Sequence, residues 1–305
     1  MARFRAVNRI GVYCIVFLML AALLATPSAA TVIRAGSGNI FAPGDDPGWA
    51  NVGRRADTVG TAVYLGDRWV LTAAHVGDGT VEFGGELYGR ELGSWHPLHE
   101  PGDPGTPADL GLFRLNVAPP GLTALSISKL APADGARVVG IGYGLDQASS
   151  ETWWNSEWQK ETVPEAYRGF ELLSGHIKRW GENYIDQNGQ VVIPLSGYVT
   201  HALQMTFDQS GSPDEMQAVP GDSGGGLFYK GLDGWELAGI FVALWRPHPG
   251  QPSNTAVYGD LSYAADLRPY RSQIMDIVPE PSVLVMLLGV GMGCLVWWFW
   301  RRAGR

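Results

Sequence analysis

Thr61–Leu65, Trp69–Thr72, Leu110–Leu115, Arg137–Ile141, Val191–Ile193, Gly226–Tyr229 and Glu236–Leu244 are short apolar runs set off by clusters of Gly, Pro, Asn and Asp. Runs of this length between turn-forming residues predict β-strands, since a helix needs a longer stretch with a 3.6-residue period. Leu267–Ile277 alone shows that period. Asp266 stands where a cap accepts free first-turn amides, and Pro269 falls in the first turn. Many short strands followed by one terminal helix predict an all-β barrel architecture. The segment Asp146–Gly181 breaks the pattern, with Trp153, Trp154, Trp158 and Trp180 among polar residues. It reads as a long loop-like insertion whose tryptophans pack onto the barrel. A lobe that binds substrate or a surface is its other reading.

The two ends follow a different logic. Arg3, Arg5 and Arg9 precede an apolar run from Ile10 to Ala25, and Ser28-Ala29-Ala30 offers small residues for cleavage before Thr31. This order predicts a secretory signal over residues 1–30. At the other end, Val278-Pro279-Glu280-Pro281-Ser282 leads into an apolar stretch from Val283 to Trp300, closed by Arg301, Arg302 and Arg305. About 18 apolar residues is near the minimum for a membrane-spanning helix, and terminal arginines favour the cytoplasmic side. Residues 278–305 resemble a PEP-CTERM sorting tail, whose three parts are a Pro-Glu-Pro motif, a transmembrane helix and a basic cluster. The resemblance implies an exosortase-type sorting enzyme as partner and a bacterium with a two-membrane envelope. An ordinary C-terminal anchor would equally place residues 31–277 outside the cytoplasm, secreted or at the cell surface.

Setting these ends aside changes the charge. The formal net charge is −8 for the whole chain and about −13 for residues 31–277, the wrong sign for a nucleic-acid partner. The cysteines, Cys14 and Cys294, both lie in the targeting segments. The exported domain therefore has no disulfide, thiol nucleophile or cysteine metal site. His96 and His99 flank Pro97-Leu98 with no evident third ligand and read as surface-loop residues. No metal or cofactor is expected, and membrane contact is expected only through the targeting segments.

Three local sequences carry chemistry. In Gly221-Asp222-Ser223-Gly224-Gly225, glycines allow a tight turn that aims backbone amides at one spot. A serine there needs a base to become a nucleophile, and the amides of Gly221 and Ser223 are placed to stabilise an oxyanion. In Leu71-Thr72-Ala73-Ala74-His75, His75 follows a strand and can serve as base, then acid. In Asp109-Leu110-Gly111-Leu112, Asp109 opens a strand where it can orient an imidazole. Taken singly, each has a structural reading: a surface turn, a packed histidine, a strand-end acid.

In combination and in the order His, Asp, Ser, these motifs resemble the trypsin-like (chymotrypsin-fold) serine peptidases, over about residues 61–277. Gly140-Ile141-Gly142-Tyr143-Gly144 resembles the glycine-rich strand end that opens the family's second barrel. The resemblance implies two six-stranded antiparallel β-barrels, the active site between them, a C-terminal helix and peptide hydrolysis through an acyl-enzyme. It implies Ser223 as nucleophile, His75 as general base and acid, and Asp109 as its partner. Gln217, Leu244 and Ala256 correspond to the family's specificity positions. With no acid at 217, an uncharged residue of modest size is expected before the scissile bond, without preference for Arg or Lys.

Several departures bear on activity. Val242 stands where many relatives support the catalytic aspartate with a serine. Val76 replaces a cysteine common in animal relatives. Thr31-Val32-Ile33-Arg34 lacks the glycines of the animal enzymes' inserted end, which leaves Asp222 to that end or to local amides and water. Three functions remain: a secreted endopeptidase acting on peptide or protein substrates, a weak or inactive surface-binding module on the same scaffold, and an esterase with the same triad.

Overall fold

A computed structural model of the chain describes residues 31–278 apart from 37 and 188. The expected signal and the Pro-Glu-Pro tail lie outside the described residues. Among the described residues, no helix is long and apolar enough to cross a membrane.

Two antiparallel sheets of seven strands dominate, one to each barrel. In the first, the spatial order is Glu86–Tyr88, Val81–Phe83, Val52–Arg55, Thr61–Gly66, Trp69–Thr72, Asp103–Arg114, His96–Glu100. Every residue of Thr61–Gly66 is buried, as an apolar run in a barrel interior requires. The hairpin into Trp69–Thr72 turns at Asp67 (φ 43°) and Arg68 (φ 69°), the doubly left-handed geometry that matches strand twist. Arg68 is held there by Glu91 at 2.9 Å and the Leu115 carbonyl at 3.1 Å. His96 and His99 lie on the outer strand of this sheet rather than in a loop. The His99 backbone is bonded both ways to the Gln273 side chain on the C-terminal helix.

The second sheet runs Arg179–Tyr184, Arg137–Gly142, Gly226–Gly231, Gly234–Trp245, Leu261–Asp266, Tyr198–Thr206, Gln190–Leu195. The helix spans Leu267–Ile277, and the Asp266 carboxylate accepts the Arg268 amide. Its buried stripe, Leu267, Tyr270 and Ile274, contributes about 2 kcal/mol per side chain. One apolar cluster spans both barrels and the helix: Val63, Leu71 and Leu112 of the first barrel, Ile141 and Ile240 of the second, and Tyr270 and Ile274 of the helix. The all-β, two-barrel architecture with a C-terminal helix is thus the observed fold.

The Trp-rich segment is not a loop. Leu145–Gln147, Thr152–Trp154, Lys160–Glu161 and Tyr167–His176 form a further sheet with Thr255–Val257. Trp154 is buried, and Trp158 stacks on Tyr167 with centroids 4.3 Å apart. Trp180 belongs to a strand of the second barrel.

Candidate active site

Strand Trp69–Thr72 of the first barrel leads to His75 three residues beyond its end. After buried Ala73 the chain turns, with the Val76 and Gly77 amides bonded to the Ala73 carbonyl. Buried Arg55 closes this turn, donating to the carbonyls of Val76, Gly77 and Asp78 and pairing with Asp57 at 2.7 Å. The sequence reading missed Arg55, since a strand arginine ordinarily faces water.

Asp109 grips His75 at two points. Its Oδ1 accepts the His75 backbone amide at 2.9 Å, and its Oδ2 lies 2.7 Å from Nδ1. The aspartate side chain is 8% exposed and the imidazole 39%. A carboxylate facing Nδ1 fixes the proton on that nitrogen and leaves the Nε2 lone pair as acceptor. Asp109 is itself held, because its amide donates to buried Thr200 Oγ1 at 2.9 Å. Thr200 was also missed. Val242 is buried, so support for Asp109 comes from the Tyr198–Thr206 strand.

Ser223 sits on a turn that needs its glycines. Gly221 has φ 101° and Gly224 φ 86°. A Cβ on Gly224 would come 1.9 Å from the Thr61 carbonyl oxygen and 2.3 Å from Thr72 Oγ1. The amides of Asp222, Gly224 and Gly225 are bonded to Val219, Phe241 and Asp222 carbonyls. Among the described residues, the amides of Gly221 and Ser223 have no acceptor, so the expected oxyanion donors are open. Thr61 binds this turn to the histidine strand. Its amide donates to the Ser223 carbonyl at 2.8 Å, its hydroxyl to the Gly221 carbonyl at 2.8 Å, and its carbonyl accepts from Thr72 Oγ1 at 2.8 Å. No hydrogen bond joins Ser223 Oγ to His75.

The Asp222 side chain turns inward. Its oxygens accept the Val219 amide at 2.8 Å and the Thr31 hydroxyl at 3.0 Å. Burial pushes its carboxyl up to about 7 against those bonds. Buried Arg179 lies behind it, donating to the carbonyls of Thr31 and Gly38 and to Gln147 Oε1.

With this geometry in view, comparison with known families is decisive: residues 36–267 match the trypsin family. The chain belongs to the trypsin family. Among solved structures, mouse neuropsin, a serine protease expressed in the limbic system of the brain, has a TM-score of 0.50 and 18% identity. It covers 79% of this chain and 98% of its own. The Rv3671c protease in its inactive form follows at TM-score 0.47 and 15% identity, covering 83% and 100%. No curated protein matches the chain.

In this trypsin-family chain the cavity beside Ser223 is about 200 Å3, walled by Val219, Pro220, Asp222, Phe241, Val242 and Leu244. Of the three positions that the resemblance assigned to specificity, Leu244 lines this cavity. Gln217 and Ala256 are not in that wall. Gln217 is buried and donates to the Ala218 and Leu261 carbonyls. Ala256 pairs with Phe170 in the insertion's sheet. The residue paired with Leu244 across the second barrel is Ser262, whose hydroxyl accepts the Ala218 amide at 3.0 Å. The chain between Trp245 and Thr255 leaves the barrel and carries Ala256 to the insertion, so a count along the sequence assigns the wrong strand to this position.

Proposed function

We propose that this protein is a serine endopeptidase. The observation that carries the reading is the His75–Asp109 pair, doubly bonded and with Nε2 free, beside a serine turn with two open amides. In the proposed reaction His75 Nε2 takes the proton of Ser223 Oγ as that oxygen attacks the peptide carbonyl carbon. The Gly221 and Ser223 amides receive the developing oxyanion, each worth about 3 kcal/mol of barrier. The imidazolium, stabilised by Asp109, protonates the leaving amine, and water then resolves the acyl-enzyme by the same steps reversed. This chemistry uses no metal or cofactor. The apolar side chains of Val219, Phe241, Val242 and Leu244, with Asp222, the acid among the lining residues, bonded instead to Val219 and Thr31, support cleavage after an uncharged side chain of modest size.

The residues outside the described part support export. On this reading residues 1–30 direct secretion, and residues 278–305 serve as a PEP-CTERM tail handled by an exosortase, at the envelope or surface of a Gram-negative-type bacterium.

One observation favours the second reading, a binding module on the same scaffold: Ser223 and His75 are not hydrogen-bonded. In substrate-free enzymes such bonds are often long and tighten only around substrate. A fluorophosphonate probe separates the readings. The full-length protein is expected to label at Ser223 and to degrade casein, and Ser223→Ala to lose activity by about 10^6-fold while folding normally. Absence of labelling in folded protein refutes the peptidase; labelling with turnover of esters only makes it an esterase.

A further inference from the structure

A second cavity lies away from Ser223. It is about 480 Å3 and is walled by Trp49, Phe83, Tyr88, Leu122 and Tyr143, with Lys178 at its edge. This is the size and apolar character of a small-molecule site. Lys178 Nζ donates to two backbone carbonyls, those of Trp49 and Val52. It lies 4.5 Å from the Trp49 ring centroid and 5.7 Å from that of Tyr143. Among the described residues, no carboxylate is within ion-pairing distance of it.

Two acceptors match the two N–H bonds of a neutral amine, and the same side chain lines the cavity. We propose that Lys178 is a nucleophilic amine and that the aromatic cavity is a binding site for an aldehyde with an apolar body. The Nζ lone pair attacks the carbonyl carbon and a C–N bond forms. The carbonyl oxygen then leaves as water with both Nζ protons, giving an imine. A carboxylate ligand fits less well, because it would need a third ammonium proton and would face Glu86 on the cavity rim.

The electrostatics agree with a neutral amine. Burial pulls Lys178 down to about 7, opposed by the charge of Asp46. Of the other groups facing it, Tyr143 is pushed up to about 12 by burial and stays neutral. Tyr88 and Glu86 complete the titratable lining. The faces of Trp49 and Tyr143 favour the ammonium but are a smaller effect than lost water.

The chain has four lysines, and Lys129, Lys160 and Lys230 are exposed, so labelling can be read residue by residue. Full-length protein is acetylated with trace acetic anhydride from pH 6 to 10 and mapped by mass spectrometry. Lys178 is expected to reach half-maximal labelling near pH 7, well below the range of a free lysine side chain. Benzaldehyde with cyanoborohydride at pH 7 is expected to give one reduced adduct, on Lys178. It should be lost in Lys178→Arg and unchanged in Ser223→Ala. Leu122→Trp, which narrows the cavity but keeps the amine, should retain the early acetylation and lose the benzaldehyde selectivity. Lys178 titrating with the other lysines, remaining unlabelled until the protein unfolds, or sharing benzaldehyde evenly with them would overturn the proposal.

Discussion

Gly60 and Val76 offer a direct test of how the His75 turn is held. A Cβ built on Gly60 stands 3.5 Å from Val76 Cβ and only 2.6 Å from its Cγ1. Disulfides place their Cβ atoms about 3.5–4.5 Å apart, so Gly60→Cys with Val76→Cys is within bonding geometry, at its short end. Gly60 is outside the left-handed region, and its carbonyl accepts the Arg55 amide, so neither backbone strain nor a lost amide bond is introduced. The crosslink closes a loop of about 16 residues, for which chain entropy gives about 3 kcal/mol. In a domain this size that raises the midpoint of thermal unfolding by about 6–12 °C. The comparison is made between oxidised and reduced forms of the same variant, which cancels the packing lost with the valine methyls. A control comes from the same geometry. Gly60→Ala alone forces its new methyl against Val76 and should cost about 1–3 kcal/mol. Mass spectrometry identifies the bridge, and melting with and without reductant measures it. Hydrolysis by the oxidised form should be unchanged if the native turn is already rigid. Free thiols in air-oxidised folded protein, or identical midpoints in the two forms, would refute the reasoning.

Other outcomes follow from the site. Thr200→Val leaves the buried Asp109 amide without an acceptor. It should cost about 1–3 kcal/mol of stability and lower kcat with little change in KM, while Thr200→Ser restores both; an unchanged kcat would remove Thr200 from the positioning of Asp109. Gly224→Ala meets the Thr61 carbonyl in a left-handed backbone and should destabilise by about 2–4 kcal/mol, measured by urea unfolding. Asp222 is raised to about 7 by burial and Glu215 likewise. A carboxyl with a raised native pKa holds its proton better when folded, so its contribution to stability is full below about pH 4 and is lost as pH rises to about 7. Asp222→Asn should flatten that fall in a pH series of unfolding curves, and an unaltered slope would show that Asp222 ionises freely in the native protein.

What the sequence revealed and what it concealed divide along a physical line. The three motifs that carry His75, Asp109 and Ser223 could be picked out because each is local: a turn needing glycine, a strand end, a strand start. The core strands were legible for the same reason, Arg137–Ile141 and Val191–Ile193 being found within Arg137–Gly142 and Gln190–Leu195. Tyr167–His176 and Tyr198–Thr206 were not, because polar residues interrupt their apolar positions and their pairing partners are distant. The tryptophans of the insertion suggested packing, but nothing local announced a sheet with Thr255–Val257. Thr200 and Arg55 are visible only once tertiary structure brings an amide or a turn against them. Ala256 was misplaced because a position read by counting assumes the intervening loop has the usual length.

The absence of cysteine between residues 31 and 277 gives the buried polar groups a particular role. A disulfide joins two points of a chain, whereas one arginine fork can join several, having five donors in a rigid plane. Arg55 ties the carbonyls at positions 76, 77 and 78 into the turn behind His75. Arg179 ties positions 31, 38 and 147 behind Asp222. Both stand at strand ends and reach carbonyls of irregular chain that strand ladders cannot satisfy, and both back one half of the site. Between them Thr61 spans the barrels, bound to the serine turn through its amide and hydroxyl and to Thr72 through its carbonyl. The relative placement of His75 and Ser223 is therefore set by directional bonds to buried carbonyls, which lose their partners together when one donor is removed. Such a site is stiff against small motions and cooperative in failure, and it needs no oxidising step to mature.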